Sequence, residues 1–149
     1  MNYRLIAALR EDEAWLENLR RSVYQDLFYA TWGGWDEARH VRHFSECIAR
    51  GHIFIIEVDG SRVGMIQIFD EANALEIGET QVQPSQQNRG VGTAVIEDLI
   101  VRAHQGRKSV RLRVGLKNEK AYKLYQRLGF RQVERTETHH HMACDPDPE

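Results

Sequence analysis

Apolar positions along this chain repeat with two different periods, and each period predicts a kind of secondary structure. Segments whose apolar residues recur every three to four positions predict helices, and segments in which they alternate or cluster between turn residues predict strands. The predicted strands cover residues 3–8, 53–58, 62–69, 73–83, 109–114, 130–134 and 138–143. The predicted helices cover residues 11–28, 90–103 and 118–128, with one more from an N-cap at Asp36 to near Gly51.

The apolar faces of the first two helices follow from the same spacing. The first helix is predicted to bury a stripe in which every fourth residue is apolar, and the second to bury a shorter one. The Asp59-Gly60 pair between two β-rich runs predicts a tight hairpin. The stripe residues are Trp15, Leu19, Val23 and Leu27 on the first helix, and Val41, Phe44, Cys47 and Ile48 on the second.

The predicted order of elements is β-α-α-β-β-β-α-β-α-β-β, which indicates an α/β (α+β) fold with a mixed sheet flanked by helices. Three consecutive strands joined by short turns exclude a doubly wound nucleotide-binding fold. A length of 149 residues fits one domain, predicted over residues 1–149, with a loose tail at about 145–149.

Composition narrows the functional classes. A net charge of -2 provides no overall basic field for nucleic acid, and no apolar run is long enough for a membrane span. The N-terminus lacks the pattern of a secretion signal, so we expect a cytoplasmic location. Cys47 and Cys144 have no paired spacing, and adjacent residues of the run His139-His140-His141 would point to opposite faces of a strand. No metal site is therefore predicted.

A glycine-containing loop, Gln87-Asn88-Arg89-Gly90-Val91-Gly92, connects a predicted strand to a predicted helix. Unpaired N–H groups and the dipole at a helix N-terminus favour an anion, and glycines let the backbone approach it closely. The loop lacks the Gly-Lys-Ser/Thr of a Walker loop and the G-x-G-x-x-G of a dinucleotide fold. Taken alone, it fits a phosphate site and an unliganded turn equally well.

A second motif lies some thirty residues further on, where Asn118, Ala121, Tyr125 and Gly129-Phe130 follow an alternating strand. Together with the glycine loop and the segment Ile77–Pro84, this spacing resembles the GNAT superfamily of N-acetyltransferases over about residues 53–135. Two motifs at the expected separation, each in its structural context, form a specific signal.

The resemblance implies an acetyl-CoA-dependent N-acyltransferase in which acetyl-CoA is the acyl donor and no metal takes part. In this family the strand before the loop separates from the next parallel strand, and the pantetheine arm of the donor lies in the gap. In this chain the gap would lie between Thr80–Val82 and Leu112–Val114. The residues implied in binding acetyl-CoA are Thr80, Gln81, Val82, Gln87, Asn88, Arg89, Gly90, Val91, Gly92, Thr93, Asn118 and Tyr125.

The resemblance also assigns the general acid to Tyr125, which would protonate the departing thiolate. A main-chain N–H near Gln81 or Val82 would stabilise the oxyanion. The alternatives are that Tyr125 is a packing residue and that Asn118 is only a helix cap.

The general base is less constrained than the acid. Some relatives carry a glutamate five residues before the asparagine, but that position is Arg113 in this chain. Glu79 is the preferred base, and Glu76 lies on the opposite face of the same strand. Deprotonation of the amine in bulk water would make a base unnecessary. Weaker candidates are His40, His43 and His52.

The resemblance implies an acceptor site where the first two helices meet. Aromatic and acidic side chains there can hold a cationic amine by stacking and charge. The alternative is that Trp35 packs the corner and that Asp36 only caps the second helix. The candidate acceptor residues are Tyr24, Tyr29, Trp32, Trp35 and Glu76, with Asp36 and Glu37 nearby.

These residues leave the acceptor open among a small amine, a peptide N-terminus and a lysine. The size of the acyl group is open too. A non-catalytic acyl-CoA sensor of the same fold is the alternative function, and a purely structural domain is a third. A homodimer is an option by analogy alone.

Overall fold

A computed structural model describes residues 2–148 and confirms the predicted order of elements. The strands are β1 (Tyr3–Ala7), β2 (Ile53–Val58), β3 (Ser61–Asp70), β4 (Ala74–Val82), β5 (Ser109–Gly115), β6 (Arg131–Arg135) and β7 (His139–Cys144). The helices are α1 (Glu13–Trp32), α2 (Glu37–Arg50), α3 (Val91–Gln105) and α4 (Glu119–Arg127), with short 3-10 turns at Arg10–Asp12 and Pro84–Gln86.

The sheet is mixed, as predicted, and its described strands follow the order β1-β2-β3-β4-β5-β7-β6. Strands β1, β2 and β3 pair in antiparallel fashion, as do β5, β7 and β6, whereas β4 and β5 are parallel. The chain forms two compact units. The first contains the chain up to Ile68 together with Glu79–Thr93, and the second contains Phe69–Gly78 together with the chain from Ala94 onward. A single domain over residues 1–149 stays a prediction.

Helix α1 faces the core with the predicted stripe, since Leu19 is buried and Trp15 and Val23 pack against the core cluster. Its buried residues are Leu16, Leu19, Arg20 and Phe28, while Trp15 and Val23 are only half-buried. Periodicity allowed two neighbouring stripes, and contacts with α2, β2 and β3 extend the buried face to the one that includes Leu16. The helix also continues past residue 28 and ends at Gly33, whose φ of 76° reverses the chain.

Helix α2 begins as predicted, because the side chain of Asp36 accepts a hydrogen bond of 3.0 Å from the backbone N–H of Arg39. Cys47 is buried as predicted. Val41 was expected on the buried face, but it is 49% exposed, and His40 takes the buried position instead. Cys47 joins Leu16, Leu19, Ile53, Ile55 and Met65 in the core of the first unit.

The β2–β3 hairpin has the predicted turn. Asp59 and Gly60 both have positive φ, 51° and 79°, as a tight two-residue turn requires. Val58 and Ser61 face each other across it.

In the second unit, alternate residues of β5 are buried: Val110, Leu112 and Val114. β7 lies between β5 and β6, with Leu112 opposite Met142. Parallel pairing of β4 with β5 runs over Ala74–Glu76 and Ser109–Arg111. In the tail, Asp145 accepts hydrogen bonds from Ser109 at 2.6 Å and from Arg131 at 2.7 Å.

Two findings concern membrane insertion and metal binding. Among residues 2–148, no helix combines the length and the apolar content that crossing a bilayer requires. Within the same residues, no three or more His, Cys, Asp or Glu side chains are grouped so as to hold a metal ion. His140 contacts Gln132, and His141 lies 3.8 Å from Glu134.

Candidate active site

The carboxylate of Glu79 is held by two side chains in the first unit. Its Oε2 accepts a hydrogen bond of 2.6 Å from Gln81 Nε2 and lies 3.3 Å from Arg20 Nη1. Gln81 reaches it because residues two apart on a strand share a face. The Glu79 side chain remains 24% exposed. The result is an anion with one oxygen occupied by protein donors and part of its surface open to solvent.

His43 lies on the other side of Arg20, with its Nδ1 3.4 Å from Arg20 Nη2. Because a guanidinium can only donate, Nδ1 must accept, which assigns the proton of the neutral ring to Nε2. Burial lowers the pKa of His43, and the positive charge of Arg20 lowers it further. His43 is therefore neutral at pH 7 with its Nδ1 lone pair directed at Arg20, which weakens it as a candidate base.

The backbone of β4 comes very close to that of β3 two residues after Glu79. A Cβ placed on Gly64 of β3 would overlap the carbonyl oxygen of Gln81, so glycine at residue 64 gives that carbonyl its space. In a trans peptide the N–H points opposite to the C=O, so the N–H of Val82 is directed away from Gly64. The neighbouring hydroxyl of Thr80 is buried without a hydrogen-bond partner among the described residues. The Thr80 hydroxyl thus has the unmet hydrogen-bonding capacity that a bound polar group would use.

The loop after β4 presents backbone to solvent. Asn88 and Gly90 adopt left-handed φ angles of 64° and 84°, and α3 begins at Val91. Alternation of this kind directs successive N–H groups to one side and forms an anion-binding concavity. The side chain of Gln87 donates 2.9 Å to the carbonyl of Val82 and ties the loop to the end of the strand.

In the second unit, α4 carries the other motif. Asn118 Oδ1 accepts a hydrogen bond of 3.3 Å from the N–H of Ala121, so Asn118 is the cap that the sequence predicts. Tyr125 is half-buried and meets the ring of Phe130 edge-on at 5.7 Å. Burial raises the pKa of Tyr125, so its phenol stays protonated well above neutral pH. A protonated phenol suits the predicted role of an acid.

The corner between α1 and α2 is largely occupied by contacts within the protein. Phe28 stacks on Trp35 at 4.5 Å, and the Arg39 guanidinium lies over Trp32 at 4.2 Å. Asp36 caps α2, and Glu37 forms a 2.7 Å ion pair with Arg21. These contacts give Trp35 and Asp36 the packing and capping roles that were the alternative to acceptor binding.

The remaining acceptor candidates each have different surroundings. The ring of Tyr24 lies 4.5 Å from the guanidinium of Arg20, whereas Tyr29 is exposed near the end of α1. Glu76 lies opposite Arg111 in the parallel ladder of the second unit. Their roles in acceptor binding stay predictions.

Arg20 is the site residue that the sequence interpretation missed. It occupies the position four residues after Leu16 and four before Tyr24, on the buried line of α1. A charged residue at an apolar position of an amphipathic helix was the available signal, because buried charges require a partner.

His40 provides a prediction about stability. Its ring is fully buried (0% exposed), neither ring nitrogen has a hydrogen-bond partner among the described residues, and Glu17 lies 3.7 Å away. Burial lowers the pKa of His40 below its ordinary 6.5, and the charges of Arg21 and Arg20 add to that effect. The unfolded chain then binds this proton more readily than the folded protein. The free energy of unfolding should therefore decrease as the pH falls below 6.5. Above pH 6.5, His40 should not contribute to its pH dependence.

Urea denaturation at pH 8 and at pH 5.5 measures this loss. We expect His40→Phe to reduce the difference between the two pH values, and His52→Asn, at an exposed turn, to leave it unchanged. An equal loss in wild type and His40→Phe would contradict the assignment.

The comparison with protein families places the chain in a class. The model of the acetyltransferase (GNAT) family matches residues 13–130, which is most of the chain. The chain belongs to this family, and the resemblance drawn from the two motifs is confirmed.

A sequence relative supports the same family. An uncharacterized N-acetyltransferase of Methanocaldococcus jannaschii is 30% identical over 127 residues, covering 74% of this chain and 56% of the relative. The chain thus spans little more than half the length of that protein.

Solved structures show the same fold at low sequence identity. A protein from Pyrococcus horikoshii OT3 has a TM-score of 0.75 at 18% identity, with 99% of this chain and 100% of the other covered. PaiA N-acetyltransferase from Thermoplasma acidophilum, solved in complex with coenzyme A, has a TM-score of 0.74 at 17% identity, with 97% and 99% covered.

Proposed function

We propose that this protein is an acetyl-CoA-dependent N-acetyltransferase that transfers an acetyl group to a primary amine of a small molecule or peptide. The amine attacks directly while both substrates are bound. The observation that carries the proposal is the segment Glu79–Thr93, in which a pinned carboxylate, an outward-turned peptide and a left-handed loop follow one another along the chain.

Three features of this segment fit acetyl-CoA. The N–H groups from Asn88 to Thr93 suit a pyrophosphate, because they precede and open α3, where the first N–H groups of a helix lack an intrahelical partner. The N–H of Gln87 donates instead to the carbonyl of Pro84 at 3.4 Å. The unpartnered Thr80 hydroxyl offers a hydrogen bond to a polar group of the donor. Asn118, whose Oδ1 caps α4, keeps its side-chain NH₂ as a donor for the pantetheine amides, as the resemblance implies.

The proposed reaction requires one proton acceptor, one oxyanion donor and one proton donor. Glu79 takes the proton of the amine as its nitrogen bonds to the thioester carbon, and the N–H of Val82 donates to the oxygen that becomes negative. When the carbon–sulfur bond breaks, Tyr125 protonates the thiolate. Bringing the two substrates together contributes about 7–11 kcal/mol when their geometry is favourable.

Binding of acetyl-CoA is the first testable consequence. At 100 times its dissociation constant, acetyl-CoA should stabilise the folded protein by about 2.7 kcal/mol. We expect Gly92→Asp to abolish this gain, because it places a carboxylate at the phosphate loop. Gly34→Asp, at a glycine with open space around it, should retain the gain. Thermal denaturation with and without ligand measures both.

Thiol release during a screen of amines separates the enzyme from the alternative of a sensor. A stabilising shift without thiol release for any amine would favour the acyl-CoA sensor. The absence of any shift at millimolar acetyl-CoA would reject the donor and the proposed function together.

A further inference from the structure

Arg20 is buried on α1 with only 4% of its surface exposed. Removing a guanidinium from water is costly unless its donors are satisfied. Here one donor faces Glu79 at 3.3 Å, one faces His43 at 3.4 Å, and Nε has no hydrogen-bond partner among the described residues. Apolar residues of similar volume often replace such buried ion pairs without loss of stability. Stability alone therefore does not account for an arginine at this position.

The contacts around Arg20 determine how the carboxylate of Glu79 is held. Tyr24 lies under the guanidinium at 4.5 Å, and Gln81 donates to the same carboxylate oxygen that faces Arg20. Two further titratable groups in this cluster, Cys47 and His43, are neutral at pH 7. Burial raises the pKa of the Cys47 thiol to about 12, with a further contribution from Glu79, and His43 is uncharged for the reasons given above. Arg20 is thus the cation in contact with Glu79.

We propose that Arg20 is a positioning residue of the reaction. It occupies Oε2 of Glu79, so that Oε1 is the oxygen that takes the proton from the attacking amine. This inference rests on the proposed function for the role of Glu79, but the Arg20–Glu79 contact can be tested without turnover.

The test follows the Glu79 carboxyl by carbon-13 NMR in protein labelled at the glutamate side-chain carboxyl, with Glu79→Gln to assign the resonance. We expect the Glu79 carboxyl resonance in Arg20→Met to move from its wild-type chemical shift, because the carboxylate loses a charged donor at 3.3 Å. Arg20→Lys, which restores the charge, should return it toward wild type.

A matched control lies one residue away. Arg21 is half-exposed and pairs at 2.7 Å with Glu17 and with Glu37, so Arg21→Met should leave the Glu79 resonance unchanged. If Arg20→Met does not fold, Arg20→Gln removes the charge while keeping a hydrogen-bond donor, and the same comparison applies. Identical Glu79 chemical shifts in wild type and the charge-removing variant would overturn the proposal.

The kinetic arm uses an amine identified by thiol release. In Arg20→Met, kcat should fall while the KM for acetyl-CoA changes little, and Arg20→Lys should recover part of kcat. A higher KM with an unchanged kcat would mean a merely structural role and would also overturn the proposal. If wild type releases no thiol with any amine, the proposed function fails, while the NMR comparison still decides whether Arg20 controls Glu79.

Discussion

Replacing Tyr125 by phenylalanine is expected to lower kcat by about 10²- to 10⁴-fold, the range that a general acid contributes. Burial raises the pKa of Tyr125, so the wild-type phenol is protonated across the neutral range and the loss should persist from pH 6 to pH 9. The ring contact with Phe130 does not involve the hydroxyl, so folding and affinity for acetyl-CoA should change little. Steady-state kinetics and thermal shift with acetyl-CoA measure the two effects separately.

Tyr122 provides the control on the same helix. Its ring lies 4.4 Å from that of His140, and no proton-donor role is assigned to it. Tyr122→Phe should therefore keep most of the wild-type kcat. Equal rates for wild type and Tyr125→Phe at every pH would remove Tyr125 from the mechanism.

Replacing Gly64 by alanine is expected to destabilise the fold by about 3 kcal/mol, the upper part of the range for inserting an atom into closely packed structure. The added Cβ would overlap a backbone oxygen, that of Gln81, and a strand backbone cannot rotate aside as a side chain can. Any protein that still folds should also lose activity, because the peptide that presents the Val82 N–H must shift. Urea denaturation measures the first effect, and kcat of the folded fraction measures the second.

Gly115→Ala is the matched control, because Gly115 is also a strand glycine but has no atom within 4 Å of the added Cβ. It should change the free energy of unfolding by less than about 1 kcal/mol. A comparable loss for both variants would mean that the close approach of Gln81 is not the cause.

Much of the fold could be read from the sequence because its signals are local. The Asp59-Gly60 turn, the Asp36 cap and the alternation of Val110, Leu112 and Val114 each depend on residues a few positions apart. The stripe on α1 was incomplete for the opposite reason. Two stripes have nearly the same spacing, and contacts with other elements determine how far each one is buried.

The residues of the candidate site also fall into two groups, those that local sequence patterns reveal and those that only tertiary contacts reveal. The phosphate loop and the Asn118–Phe130 motif were readable, because a strand-to-helix turn and a capped helix keep their chemistry within one segment. The Arg20–Glu79–His43 cluster was not readable, since its members come from three elements and lie 23 and 59 residues from Arg20. The acidic and aromatic corner also looked more available in sequence than it is, because Arg21 and Arg39 occupy it.

The sequence by itself determined the order of the elements and the family, since these depend on local spacing. Only the tertiary structure decided that β7 lies between β5 and β6, that Gln81 turns its carbonyl toward Gly64, and that a buried arginine holds Glu79. Each of these depends on distant parts of the chain meeting in space. Burial then makes the contacts specific, because a misplaced carbonyl or an unpaired charge costs several kcal/mol there.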